Sequence, residues 1–153
     1  MPGYYFDTSA IVKRYVPETG AAWVRGIVDD DANQMSIVDL TRAEVAGALA
    51  RRTREGVIAL DERDDLLREF HRHCTERYRP VPAGHEVIDR AVQLTQRHPL
   101  RAYDAVQLGT SLIVNQALLD SGLPELTFVC ADDRLLEAAE VEGLAVDDPN
   151  RHP

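Results

Sequence analysis

The sequence predicts an α/β protein with a central, mostly parallel sheet and helices on both faces. Two observations carry this. Short apolar runs of strand length alternate with longer segments at helical spacing, the pattern of strand–helix–strand units. Four short segments also end in, or run into, an acidic residue: Tyr4-Tyr5-Phe6-Asp7, Thr41-Arg42-Ala43-Glu44, Leu100 to Asp104, and Phe128 to Asp133. A strand ending in Asp delivers a carboxylate to the sheet edge where ligands of open α/β folds bind.

Taken in order, residues 3–7 read as a buried strand. Residues 9–15 form a short helix that Pro17 ends and Ser9 can cap. Residues 21–28 are helical and 34–38 extended. Residues 40–56 carry Val45, Ala46, Ala48 and Leu49 at helical spacing. Asp61 reads as the N-cap of a long helix through Glu76. Residues 79–82 are extended and 86–96 helical. Residues 103–119 form an apolar helix ended by Ser121-Gly122, and 126–130 a strand. Residues 134–142 form a helix ended by Gly143, and 144–146 a last strand. The two long central helices make a simple βαβ alternation incomplete.

The chain has 153 residues, the length of one domain, taken as residues 1–150. Its 44% hydrophobic and 28% charged content is ordinary for a soluble globular protein. No apolar run approaches the ~18 residues of a membrane span, and no basic region followed by an apolar one suggests a signal peptide. Cys74 and Cys130 have no metal-ligand spacing, so reduced thiols in a cytoplasmic protein are expected. The net charge of −9 argues against a broad nucleic-acid-binding surface but leaves room for a local basic strip or a metal-bridged site. Lys13 is the only lysine.

Each acid has a plain structural explanation. Asp7 can cap a helix, Glu44 and Asp104 can complement helix dipoles, and one of Asp132 and Asp133 can cap the helix that follows. Their common placement at junctions on one sheet edge points further. Carboxylates brought together repel unless a divalent cation neutralises them, and Mg²⁺ and Mn²⁺ prefer carboxylate oxygens. In a two-metal hydrolase one cation acidifies the attacking water and the other stabilises the leaving oxygen of a phosphodiester. The five histidines form no zinc pattern; His71 and His73 fall on different helix faces and read as solvated.

The segments YYFDTSAIVKRY, TRAEVAGALAR, LRAYDAVQLGTS and TFVCADDRLLEAAEVEGL resemble the four motif segments of PIN-domain proteins, and more narrowly of VapC toxins. The resemblance covers nearly the whole chain in order. It implies a three-layer α/β/α PIN-like fold and a Mg²⁺- or Mn²⁺-dependent ribonuclease. It also implies a VapB-like antitoxin that inhibits the enzyme and carries the pair to operator DNA. No membrane partner is expected, and a homodimer is left open. Carried over by position, the acidic cluster is Asp7, Glu44, Asp104 and Asp132, with Ser9 and Asp133 in support. The family pattern Asp, any residue, Arg, Leu aligns on Asp132. One departure is Cys130, where many relatives carry Ser or Thr; the change is expected to weaken hydrogen bonding near the fourth carboxylate.

Arg51, Arg101 and Arg134, with Arg52, are positioned to line a groove leading RNA phosphates to the acids; salt bridges to surface acids are the alternative. Ile11, Val12, Tyr15, Trp23 and Val24 suggest a groove for an antitoxin helix, against a plain core role for Trp23. Two other functions compete. A haloacid-dehalogenase-like phosphatase needs a second Asp where Ser9 stands. A catalytically weak PIN module used for binding would be expected to have lost an acid.

Overall fold

A computed structural model of the protein describes residues 2–153. Five strands form the sheet: β1 (Gly3–Phe6), β2 (Gln34–Val38), β3 (Tyr78–Val81), β4 (Thr127–Val129) and β5 (Ala145–Asp147). All four pairings are parallel, in the order β3-β2-β1-β4-β5. The central strand β1 sets Tyr5 opposite Ser36 on one side and Phe128 on the other. Pro80 is tolerated because β3 is an edge strand, where a missing N–H breaks no second ladder.

Side-chain alternation along the strands builds two cores. Phe6, Met35, Ile37 and Val129 face one layer of helices: α1 (Thr8–Ile11), α2 (Ala21–Val28), α3 (Leu40–Arg54) and α4 (Leu60–Glu76). Tyr5, Val38, Phe128 and Cys130 face the other: α5 (His85–Arg97), α6 (Ala102–Asp120) and α7 (Asp133–Val141). Fully burying a side chain such as Phe6 or Leu108 is worth roughly 1.5–3 kcal/mol. The result is the expected three-layer α/β/α arrangement. Among the described residues no helix is long and apolar enough to cross a membrane.

Local capping departs from expectation at two helices. Asp7 caps α1, its Oδ1 accepting the Ala10 N–H at 3.0 Å; Ser9 sits inside that helix. Asp61 is not a cap. The N-cap is Ala59, two residues earlier, and Glu62 reaches back to accept its N–H at 3.3 Å; this leaves Asp61 in the first turn.

The N-terminal groove is corrected as well. Ile11, Val12, Tyr15 and Val24 are buried in the core, so they offer no surface to a partner helix. Trp23 is half-buried and stacks on His152 at 4.2 Å. That stack fastens the C-terminal segment, whose Pro149 carbonyl lies where any Cβ on Gly20 would fall.

His73 also differs from its solvated reading. It is buried, and its Nδ1 lies 2.7 Å from the Tyr15 hydroxyl, which in turn lies 2.5 Å from the Tyr78 hydroxyl. Burial first, and the Arg14 charge second, hold the His73 imidazole below its ordinary value. The unfolded chain therefore takes up this proton first. The stability contributed is whole above the unfolded value near ~6.5 and is lost as pH falls below it. The gap in melting temperature between wild type and His73→Gln is expected to narrow from about pH 7 to about pH 5. Thermal melts across that window check this, and a constant gap would contradict it.

Candidate active site

The chain reverses its direction across the sheet between β1 and β4, since β2 and β3 lie to one side and β5 to the other. Loops leaving two such strands part there and open a crevice at their C-terminal ends. Asp7 follows β1 and Asp132 follows β4, so the two stand on opposite lips. Glu44, in α3, and Asp104, in the first turn of α6, complete the walls. All four line one cleft of about 1100 Å³, with Ser9 and Asp133.

Each carboxylate is held by bonds of its own element and its neighbours. Ser9 Oγ donates to Asp7 at 2.7 Å to Oδ1 and 2.9 Å to Oδ2, and accepts the Ala131 N–H at 3.0 Å, tying the two lips together. The Cys130 thiol donates to Asp7 Oδ2 at 3.2 Å. The effect of the cysteine thus falls on the first carboxylate rather than the fourth, which it meets only through the Asp132 backbone. Glu44 Oε1 accepts from Thr8 at 3.0 Å and from Gln107 at 2.9 Å. Asp132 Oδ1 caps α7, accepting the N–H groups of Arg134 and Leu135.

The acids sense burial and one another. Burial pushes the Asp7 carboxyl up to about 6 against its Ser9, Cys130 and Ala10 hydrogen bonds, with the Asp104 charge adding to the rise. Burial and the Asp104 charge raise Glu44, which its bonds to Gln107 and Thr8 oppose. Burial and the Asp132 charge raise Asp104. Burial, and then the Asp7 charge, push the Cys130 thiol far up, so it remains a protonated donor.

Among the described residues no three acidic, histidine or cysteine side chains stand gathered as a ready ligand cluster. The donor set itself fits a hard divalent cation: all are oxygens, and three are carboxyls whose ionised forms are disfavoured.

Arg51, Arg52, Arg101 and Arg134 also line the cleft. Arg51 is exposed and 3.6 Å from Glu55, and Arg101 donates to the Tyr103 hydroxyl at 2.8 Å. Arg52 is different: it is largely buried and bonded to Glu18.

Sequence reasoning missed Gln107. This buried side chain joins the two halves of the site. Its Oε1 accepts the Tyr5 hydroxyl at 2.8 Å, and its Nε2 lies within 3.2 Å of Thr8, Thr41 and Glu44 oxygens. The signal was present: Gln107 stands three residues after Asp104, on the same helix face, among apolar residues. Lys13 and Asn150 in the cleft were missed too.

The sequence pattern of the PIN domain matches residues 4–141. The chain belongs to the PIN-domain family. This PIN domain is 33% identical over 146 residues to the ribonuclease VapC45 of Mycobacterium tuberculosis, covering 95% of each chain. Its fold is similar to PAE2754 from Pyrobaculum aerophilum, with a TM-score of 0.66 and 18% identity over 99% of this chain and 86% of that one. It is also similar to a toxin–antitoxin complex from Klebsiella pneumoniae, with a TM-score of 0.61 and 15% identity over 95% and 97% of the two chains.

The capping role of Asp132 sharpens the comparison with Asp133. Asparagine at position 132 keeps an oxygen for the cap and removes only the charge. Asp132→Asn is expected to lose most RNA cleavage at a melting temperature close to wild type. Asp133→Asn, in the first turn of α7, is expected to keep its activity and lose at most ~1 kcal/mol. Cleavage rates and melts of the two variants check this; greater damage at position 133 would shift the fourth acid by one residue.

Proposed function

We propose that the chain is a VapC-type toxin: a Mg²⁺- or Mn²⁺-dependent endoribonuclease held inactive by a VapB-like antitoxin in the cytoplasm. The observation that carries the reading is the meeting of Asp7, Glu44, Asp104 and Asp132 on one cleft at the sheet's switch point, in a chain one-third identical to a ribonuclease. The four carboxylates are the residues that would hold the ion. Bound there, it supplies charge neutralisation and an acidified water for attack on a phosphodiester. Ser9 and Cys130 fix the orientation of Asp7 by donating to both its oxygens. Gln107 and Thr8 do the same for Glu44. Arg51, Arg101 and Arg134 supply positive charge along the rim for the phosphates of an incoming strand. This local strip reconciles RNA as a substrate with a net charge of −9.

Purified protein incubated with RNA in Mg²⁺, Mn²⁺ or EDTA, beside a small phosphomonoester, tests the reading. Cation-dependent internal cleavage of RNA with the monoester untouched is expected. Release of phosphate from the monoester would favour a phosphatase, and RNA left intact with every cation would favour a binding module.

A further inference from the structure

Lys13 is buried to 6% exposure on the wall of the cleft, a strongly disfavoured place for an ammonium without full compensation. Ser9, Val12 and Lys13 share one helical face toward the cleft, at spacings of three and four. The Lys13 partner is Glu18, whose Oε2 lies 3.4 Å from Nζ, long for a direct ion pair. Glu18 is also shared. Its Oε1 accepts two bonds from the Arg52 guanidinium, through Nε at 3.1 Å and through Nη2. One carboxylate thus stands against two cations, and the better contacts go to the arginine. An ammonium has three protons to place, and Glu18 takes one at long range.

We propose that Lys13, backed by Arg52, is a substrate-anchoring residue that binds a non-bridging phosphate oxygen of the RNA strand in the cleft. The inference rests on the nuclease reading and adds a contact deeper than the rim arginines. Lysine suits the task because its tetrahedral ammonium can serve Glu18 and a second anion at once, whereas a guanidinium fork would be spent on the carboxylate.

The test measures binding of a short, fluorescein-labelled single-stranded RNA of mixed sequence in EDTA, against salt concentration. Melting temperatures are taken for each variant. Lys13→Gln is expected to weaken binding about tenfold and to reduce the slope of log K against log salt by about 0.7, one phosphate contact on a single strand. Lys13→Arg is expected to restore little of the slope, since its guanidinium fork is spent on Glu18. Glu18→Gln is expected to act with the opposite sign and tighten binding, since it releases both cations. A purely structural ion pair predicts instead that Lys13→Gln and Glu18→Gln lower the melting temperature alike and leave the slope unchanged; that result overturns the proposal. So does weakened binding to an acidic protein partner with RNA binding intact. If Lys13→Gln fails to fold, the sign of the Glu18→Gln effect decides. Wild-type cleavage with unaltered Lys13→Gln binding removes this contact alone, whereas wild-type protein that neither binds nor cuts RNA removes the nuclease reading with it.

Discussion

Asp7→Asn and Asp104→Asn each reduce Mn²⁺-dependent RNA cleavage by at least about a hundredfold, while the metal-free protein stays folded. Under the proposed metal-dependent mechanism, the size follows from removing a charged donor where the cation would be held and charge would develop during reaction. Asp7→Asn also raises the melting temperature of the metal-free protein. The Asp7 carboxyl titrates higher in the folded state, about 6, than its ordinary value of 3.8. Its ionised form is therefore a burden on the fold, absent well below the unfolded value and complete as pH rises through the folded one. At neutral pH the burden is on the order of 3 kcal/mol, at about 1.4 kcal/mol per pKa unit. Asparagine removes it and keeps an oxygen for the Ala10 N–H. RNA cleavage and melting curves in EDTA at about pH 7 and about pH 4.5 measure both effects, and the gain should shrink at the acid end. Wild-type activity in both variants would sink the metal-site assignment. A loss of stability in Asp7→Asn would show that the cap outweighs the buried charge.

Gln107→Leu lowers the melting temperature by on the order of 10 °C and weakens cleavage with all four acids still present. Leucine fills much the same space but serves none of the polar partners. The Tyr5 hydroxyl loses its acceptor, and Thr41 and Glu44 lose a donor in the interior. Each buried polar group left unpaired costs roughly 1–3 kcal/mol, and a chain of this size shifts about 2–4 °C per kcal/mol. Glu44 also loses one of the two hydrogen bonds that favour its ionised form, so its carboxyl moves further up and would hold the proposed cation less well. Thermal melts and Mn²⁺ titrations of cleavage together read this. A variant melting within about 2 °C of wild type would show that water replaces the amide at no loss.

The element order, the parallel sheet and the four acids at strand and helix junctions are legible in the amino-acid order. Those features are local. Strand length, apolar runs and breaker residues are written in neighbouring positions, and a carboxylate at the end of Tyr4-Tyr5-Phe6 has one sheet edge to occupy once all strands run parallel. The resemblance to PIN domains rested on the same local segments. What each side chain meets across the fold is set by long-range packing. Gln107 reaches back 102 residues to Tyr5, and the Cys130 thiol reaches 123 residues to Asp7. Periodicity cannot register such contacts, because it records which face a residue occupies and not what stands opposite. For the same reason His73 read as solvated and Ile11, Val12, Tyr15 and Val24 as a groove. The faces they occupy are covered by elements distant in sequence: Tyr15, 58 residues away, meets His73, and the strand residue Val129 helps seal the core around Ile11 and Val24. Lys13 is the sharpest case. The sequence marks it only as the lone lysine, and packing of the segment that follows Asp7 against the cleft wall makes it a buried cation with half a partner.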